Sequence, residues 1–433
     1  MKFFTRFLCA GSALLLLLAA CADTDGVVLP DEDELRASAA PQTRVFDPTE
    51  ENPTGVPVLY INTQDSADIA SKTEYVAGEV TLVSSASPDW NIDRAPMRIR
   101  GRGNSTWMAA KKPYKIKFDR NRSLLGMNAE KDWVLLANWF DRPMLHTPIA
   151  FWLGARSSLD WTPSGDFAEV YLNGAYNGLY YITEQVEAAD ARLVLPRGSF
   201  LIEVDQPGRV DEGEVAFRAY LNTFVIKTPS VLPDDEQYTW IKDYVTAFER
   251  SLYSTYWLDA ARGYAAYIDM ESFADWYIIN ELVKNTDAVF FSSCYLHITP
   301  GGQLKMGPLW DFDLSLGSTS NPNSKGVEGF WVRRGPYFAR MMQDPAFYTL
   351  VRERFDYFKS QLPALLDFIE GEAAAHNEVL WDNLGRKDSW LPFYGGFYPE
   401  VDALKDFLTQ RTAWLDANLP YPGMPTGIHT VTY

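Results

Sequence analysis

Short apolar runs bounded by Gly, Asn and Pro dominate the chain from Val56 to about Asp205. Val58–Ile61, Val80–Val83, Met97–Arg100, Lys115–Phe118 and Trp133–Leu136 therefore predict strands, being too short and too evenly spaced for helices. In Lys115-Ile116-Lys117-Phe118 polar and apolar residues alternate, which puts Lys115 and Lys117 on one face of a strand and Ile116 on the other. A single helix interrupts this region, with Asp141 as its N-cap and Leu145, Ile149 and Leu153 recurring every four residues towards Gly154. Val170–Gly174 and Asn177–Ile182 each hold an Asn-Gly pair within strand-like sequence, the chemistry of a hairpin.

Beyond Pro229 the pattern lengthens to a helical period. Helices are expected over Asp234–Tyr253, Met270–Lys284, Pro345–Phe358 and Val401–Leu415. Between them one further strand pair, Phe290–Ile298 and Leu304–Leu309, turns at Thr299-Pro300-Gly301-Gly302. The expected fold is α+β and two-lobed, with a β-rich N-terminal lobe over 53–205 and a mainly helical C-terminal lobe over 206–433. A cleft between such lobes is the natural place for a ligand.

Charge and targeting signals narrow the field. With 57 acidic against 39 basic residues the net charge is -18, which repels phosphate backbones and argues against nucleic acid as a general partner. Lys2 and Arg6 precede an apolar stretch, Ala10–Leu18, and the chain then reads Leu18-Ala19-Ala20-Cys21. The apolar run is shorter than the ~20 residues of a membrane span. Residues 1–21 resemble a lipoprotein signal peptide with its lipobox, so Cys21 is the expected lipidation site and the acyl chains the only membrane contact. The implied location is a bacterial cell envelope, at the outer membrane or cell surface. Residues 22–52, acidic and dotted with proline, read as a flexible tether. Of three cysteines only Cys294 follows this leader, and the four histidines fit no ligand spacing, which excludes a disulfide framework and a histidine-rich metal centre.

Three segments could carry chemistry. Arg98-Ile99-Arg100-Gly101-Arg102-Gly103-Asn104-Ser105-Thr106-Trp107 places small residues with open backbone N–H groups beside three arginines, a loop able to approach phosphates. Lys111-Lys112-Pro113-Tyr114-Lys115-Ile116-Lys117 adds positive charge next to it, and together they form a candidate anion-binding wall rather than a merely solvated edge strand. Asn285-Thr286-Asp287 and Trp310-Asp311-Phe312-Asp313 flank the second hairpin, which can bring their carboxylates to one end. Phosphoryl transfer needs such a pair, one carboxylate to take the acceptor's proton and one to hold magnesium. Caps and turns also use aspartate in these places, and glycosidases pair carboxylates too. No G-x-S-x-G elbow, Walker A sequence or helix-opening G-x-G-x-x-G is present.

In order along the chain, R-G-N-S-T-W (102–107), K-K-P-Y-K-I-K (111–117), L-L-A-N-W-F-D (135–141), Y-L-N-G-A-Y-N-G-L-Y (171–180), T-E-Q-V (183–186), N-T-D (285–287) and W-D-F-D (310–313) resemble the spore-coat-protein-H (CotH) kinase-like family. The resemblance runs from about Val56 to Leu362 and implies an atypical protein-kinase-like fold that uses ATP and magnesium to phosphorylate protein Ser/Thr hydroxyls. On that mapping Asp287 is the catalytic base and Asp311 a metal ligand. Arg102, Gly103, Asn104 and Ser105 cover the nucleotide, Lys115 contacts its phosphates with Lys117 as the alternative, and Glu184 orients the lysine or faces the nucleotide. Kinase catalytic loops also supply an amide shortly after the base. Residues 288–294 contain none, which leaves Asp313 for a second metal position. A nucleotide-free envelope scaffold that binds a protein partner is the alternative within the family.

Overall fold

The computed structural model describes residues 55–211, 213–376 and 391–420. Cys21, the leader and the tether lie outside the described residues. The chain is a mixed α+β protein, as its hydrophobic periods predicted.

The N-terminal strands form a closed barrel rather than an open sheet. β1 (Val58–Thr63), β2 (Val76–Val83), β3 (Ile92–Gly101), β4 (Tyr114–Arg122), β5 (Glu130–Leu136), β6 (Gly165–Leu172) and β7 (Ala175–Glu184) pair in the order β1-β2-β3-β4-β5-β7-β6. The parallel pairing of β1 with β6 closes the ring. Alternation decides what fills it: Ile99, Ile116, Phe118, Trp133, Leu135, Tyr180 and Ile182 point inward and are buried together. Their outward neighbours Val134, Leu179 and Tyr181 join a second, larger core shared with the rest of the molecule.

The first Asn-Gly pair makes the β6–β7 turn, with φ of 51° at Asn173 and 80° at Gly174. The second does not turn the chain; Gly178, with φ of 94°, sits inside β7 opposite a register shift in β6. Helix α1 (His146–Gly154) starts later than expected, yet Asp141 still serves its first turn, accepting the N–H groups of Leu145 at 3.2 Å and His146 at 2.8 Å.

A second sheet follows, in the order β12-β11-β8-β10-β9, built from β8 (Phe200–Val204), β9 (Val215–Arg218), β10 (Thr223–Thr228), β11 (Cys294–Ile298) and β12 (Lys305–Met306). β8, read in sequence as the end of the N-terminal half, pairs with β10 and β11. The expected strand pair is shorter than its apolar runs, because 290–293 bend with φ of 65° at Phe290 and 57° at Ser293.

Helices α2 (Glu236–Leu252), α3 (Met270–Val283), α4 (Pro322–Lys325), α5 (Phe338–Met341), α6 (Pro345–Ser360), α7 (Leu362–Ala375) and α8 (Phe397–Asn418) complete the chain. α3 is buried from Ser272 to Val283, its apolar side chains interrupted by the partnered polar residues Ser272, Asp275, Asn280 and Glu281. Asp269 caps its start by accepting the N–H of Ser272 at 2.8 Å, and Lys284 ends it in the left-handed conformation, φ 49°. That sharp stop delivers Asn285-Thr286-Asp287 to the crevice. Among the described residues no helix is long and apolar enough to cross a membrane.

Candidate active site

The glycine loop is shaped by its own tryptophan. A side chain at Gly101 would strike the Trp107 indole, and Gly103, at φ 80°, would drive a Cβ into the Thr106 hydroxyl. The one-turn segment Ser105–Met108 then folds Trp107 back under the loop. Lys112 fixes this arrangement by donating to the Trp107 carbonyl at 2.7 Å, and Lys111 is likewise used structurally, donating to the Leu179 carbonyl at 2.5 Å. Asn104 and Ser105 stay exposed at the tip, where Lys72 donates to Asn104 at 3.3 Å.

Arg102 points the other way, into a small pocket it shares with Pro113, Asn138, Asp311 and Asp313. Its guanidinium lies 5.2 Å from the Trp310 ring centroid. Burial lowers its pKa, while the Asp311 carboxylate acts in the opposite direction. The sequence therefore brought two distant motifs, R-G-N-S-T-W and W-D-F-D, to one point.

The Asp287 loop meets them from the second sheet. Asn285 is the buried node: its amide donates to the Asp311 carbonyl at 3.1 Å, and its oxygen accepts the Asp287 N–H at 3.2 Å. Ser293 donates to Asp311 Oδ2 at 3.1 Å, and Asp311 itself has φ of 66°. Burial and the neighbouring Asp311 carboxylate push Asp287 up to about 7, against the pull of Arg209. Asp313 is raised well above the usual carboxylate range by burial and by Asp311, Asp287 and Asp141. Thus Asp287, Asp311 and Asp313 share one electrostatic environment.

Sequence reasoning missed Asp205 and Arg209, which follow β8 and act on Asp287. Arg209 is held by the Ser292 hydroxyl at 3.1 Å and the Phe291 ring at 4.7 Å. Nothing in their local sequence marks them; only the pairing of β8 with β11 brings them there.

The remaining predicted residues lie along the barrel wall. Lys115 and Lys117 both bind Asp132 on β5, at 2.8 and 2.9 Å. Glu184 binds neither lysine; it pairs with buried Arg192 at 2.7 Å and accepts from the Ser164 N–H and hydroxyl at 2.8 and 2.9 Å. Arg98 stands opposite Lys117 and Arg100 opposite Lys115 across β3 and β4, so the wall carries four cations facing one way.

Among the described residues no three His, Cys, Asp or Glu side chains form a preformed metal cage. Magnesium commonly takes only one or two carboxylates and completes its shell with water and substrate phosphates. Asp311 and Asp313 at the pocket beside Arg102 offer carboxylates of that number, with Arg209 acting on the neighbouring Asp287.

Barrel, second sheet and crevice define a mixed α+β protein with a glycine loop, an arginine and clustered carboxylates at one junction. The family model described as CotH kinase protein matches residues 99–415, most of the chain, and the chain belongs to the CotH kinase family. No curated protein matches the chain.

Proposed function

We propose that this chain transfers the γ-phosphoryl group of ATP to a Ser or Thr hydroxyl of a protein acceptor, as a lipid-anchored envelope kinase with two kinase-like lobes. The observation that carries the reading is Asp287, a carboxylate pushed up to about 7 beside Asp311, which shares a pocket with Arg102 of the glycine loop. A base poised near neutrality accepts a hydroxyl proton best. The acceptor oxygen attacks the γ-phosphorus as its proton passes to Asp287, and the bond to the β,γ-bridging oxygen breaks, releasing ADP. Magnesium would supply charge neutralisation there, and Asp311 and Asp313 would be its protein ligands. Arg102 faces the developing charge from the barrel side, and Gly103, Asn104 and Ser105 lie over the phosphates. Lys115 and Lys117 extend the cationic path along β4.

Cys21 would carry the acyl anchor and hold the folded body at the membrane by the 22–52 tether. The full-length chain incubated with γ-labelled ATP, magnesium and casein as generic acceptor is expected to transfer label. Asp287→Ala and Asp311→Ala are expected to abolish transfer. Absence of label transfer by the wild-type chain, to casein or to itself, would refute the reading.

A further inference from the structure

We propose that Asp132 is the positioning residue for the phosphate lysines Lys115 and Lys117, one of the two roles the family resemblance offered for Glu184. This deepens the reading above and rests on it.

The two lysines are two residues apart on β4, so both project from the barrel's outer face while Ile116 fills its interior. In the β4–β5 ladder Lys117 stands directly opposite Asp132 and Lys115 opposite Val134. One carboxylate can therefore reach both ammonium groups, and it does: Oδ1 to Lys115 at 2.8 Å and Oδ2 to Lys117 at 2.9 Å, with the Asp132 side chain only 7% exposed. Burial raises the acid's pKa, but the two ammonium groups more than cancel this and hold it below the usual range.

Both Glu184 oxygens are engaged elsewhere, Oε1 by Arg192 and Oε2 twice by Ser164. The need for an orienting acid is plain from the wall itself. Arg98 and Arg100 oppose the lysines pairwise, and like charges directly across a ladder repel. Both guanidinium groups sit over the Tyr75 ring, at 5.7 and 5.2 Å, while the flexible lysine stems have Asp132 as their anchor. An ammonium has three donors. Paired with Asp132, both ammonium groups would keep donors for a triphosphate.

The test is ATP binding with magnesium to the full-length chain by calorimetry, together with KM values for ATP and for casein. Asp132→Asn is expected to raise the ATP Kd and KM by about tenfold or more, the scale of a misplaced positioning group, and to leave the casein KM unchanged. In a Lys115→Met/Lys117→Met background the same change is expected to add less than about twofold, the signature of residues acting as one unit. Asp132→Glu keeps the carboxylate and is expected to stay near wild type; it carries the test by itself if Asp132→Asn does not fold. The proposal is overturned if Asp132→Asn binds ATP as well as or better than wild type, if its effect persists without the lysines, or if Asp132→Glu loses binding as Asp132→Asn does. A wild-type chain that binds no ATP overturns the kinase reading itself, a result distinct from any of these.

Discussion

Arg411 offers the sharpest test of how the helical half holds the crevice together. It lies on α8 with its side chain fully buried, and Glu281 on α3 is equally enclosed. Five hydrogen bonds leave the guanidinium: two to the Glu281 carbonyl at 3.1 Å, one to Glu281 Oε1 at 2.7 Å, and one each to the carbonyls of Val327 at 2.6 Å and Gly329 at 2.8 Å. Arg411→Met keeps most of the stem's volume and removes all five. The Val327 and Gly329 carbonyls lose their Arg411 donor, the Glu281 carbonyl keeps only the Lys284 N–H at 3.3 Å, and the Glu281 carboxylate retains the N–H groups of Trp331 at 2.7 Å and Arg333 at 2.9 Å and the nearby Lys284 charge. Breaking a buried pair from one side typically costs ~3–5 kcal/mol, and the two surviving N–H bonds point to the lower end, about 3 kcal/mol. Urea unfolding followed by circular dichroism reads this as a lower midpoint at constant slope. Arg411→Lys, which keeps the charge without the planar fork, is expected to fall between the two. A loss below about 1 kcal/mol for Arg411→Met would refute the network's role, since that is the ordinary effect of an average substitution. Because α3 ends at the Asn285–Asp287 loop, the destabilised variant is also expected to lose phosphoryl transfer.

Other outcomes follow from single contacts. Burial holds His376 at about 4 against a usual 6.5, with its Nε2 3.1 Å from the Pro143 carbonyl and its ring stacked 4.0 Å from Phe167. The unfolded chain therefore binds the proton first: stability from this group is complete above pH 6.5, falls between 6.5 and 4, and the loss totals ~3 kcal/mol below that. His376→Phe should remove that part of the acid dependence in urea titrations at stepped pH, and an unchanged slope would contradict it. Gly103→Val forces a branched side chain into φ 80° against Thr106, so a local cost of about 1–2 kcal/mol and weakened ATP binding are expected, read by thermal shift with and without ATP and magnesium. Cys21→Ser should abolish incorporation of labelled palmitate and release the protein from membranes; continued labelling would exclude Cys21 as the anchor.

What the sequence determined on its own was local. Alternation in Lys115–Phe118 put both lysines on one face, and the Asn173-Gly174 turn and helix α3 were legible because turn and helix chemistry act over a few residues. Local pattern failed where neighbours far along the chain compete. The second Asn-Gly became a bulge because β7 already had a partner in β6, and α7, whose Pro363 suits a first helical turn, follows directly on the helix expected over Pro345–Phe358 without a break that local pattern marks. Likewise the short strands β9 and β10 are defined by pairing with each other and with β8. In the crevice, sequence named Asp287, Asp311 and Arg102 but could not say what holds them. Barrel closure and ladder register decided that Asp132 rather than Glu184 meets the lysines, and the β8–β11 pairing that Arg209 stands by Asp287. Those choices depend on strand order and register, which are set by burying one face of every strand at once, a property of the whole chain that no single segment contains.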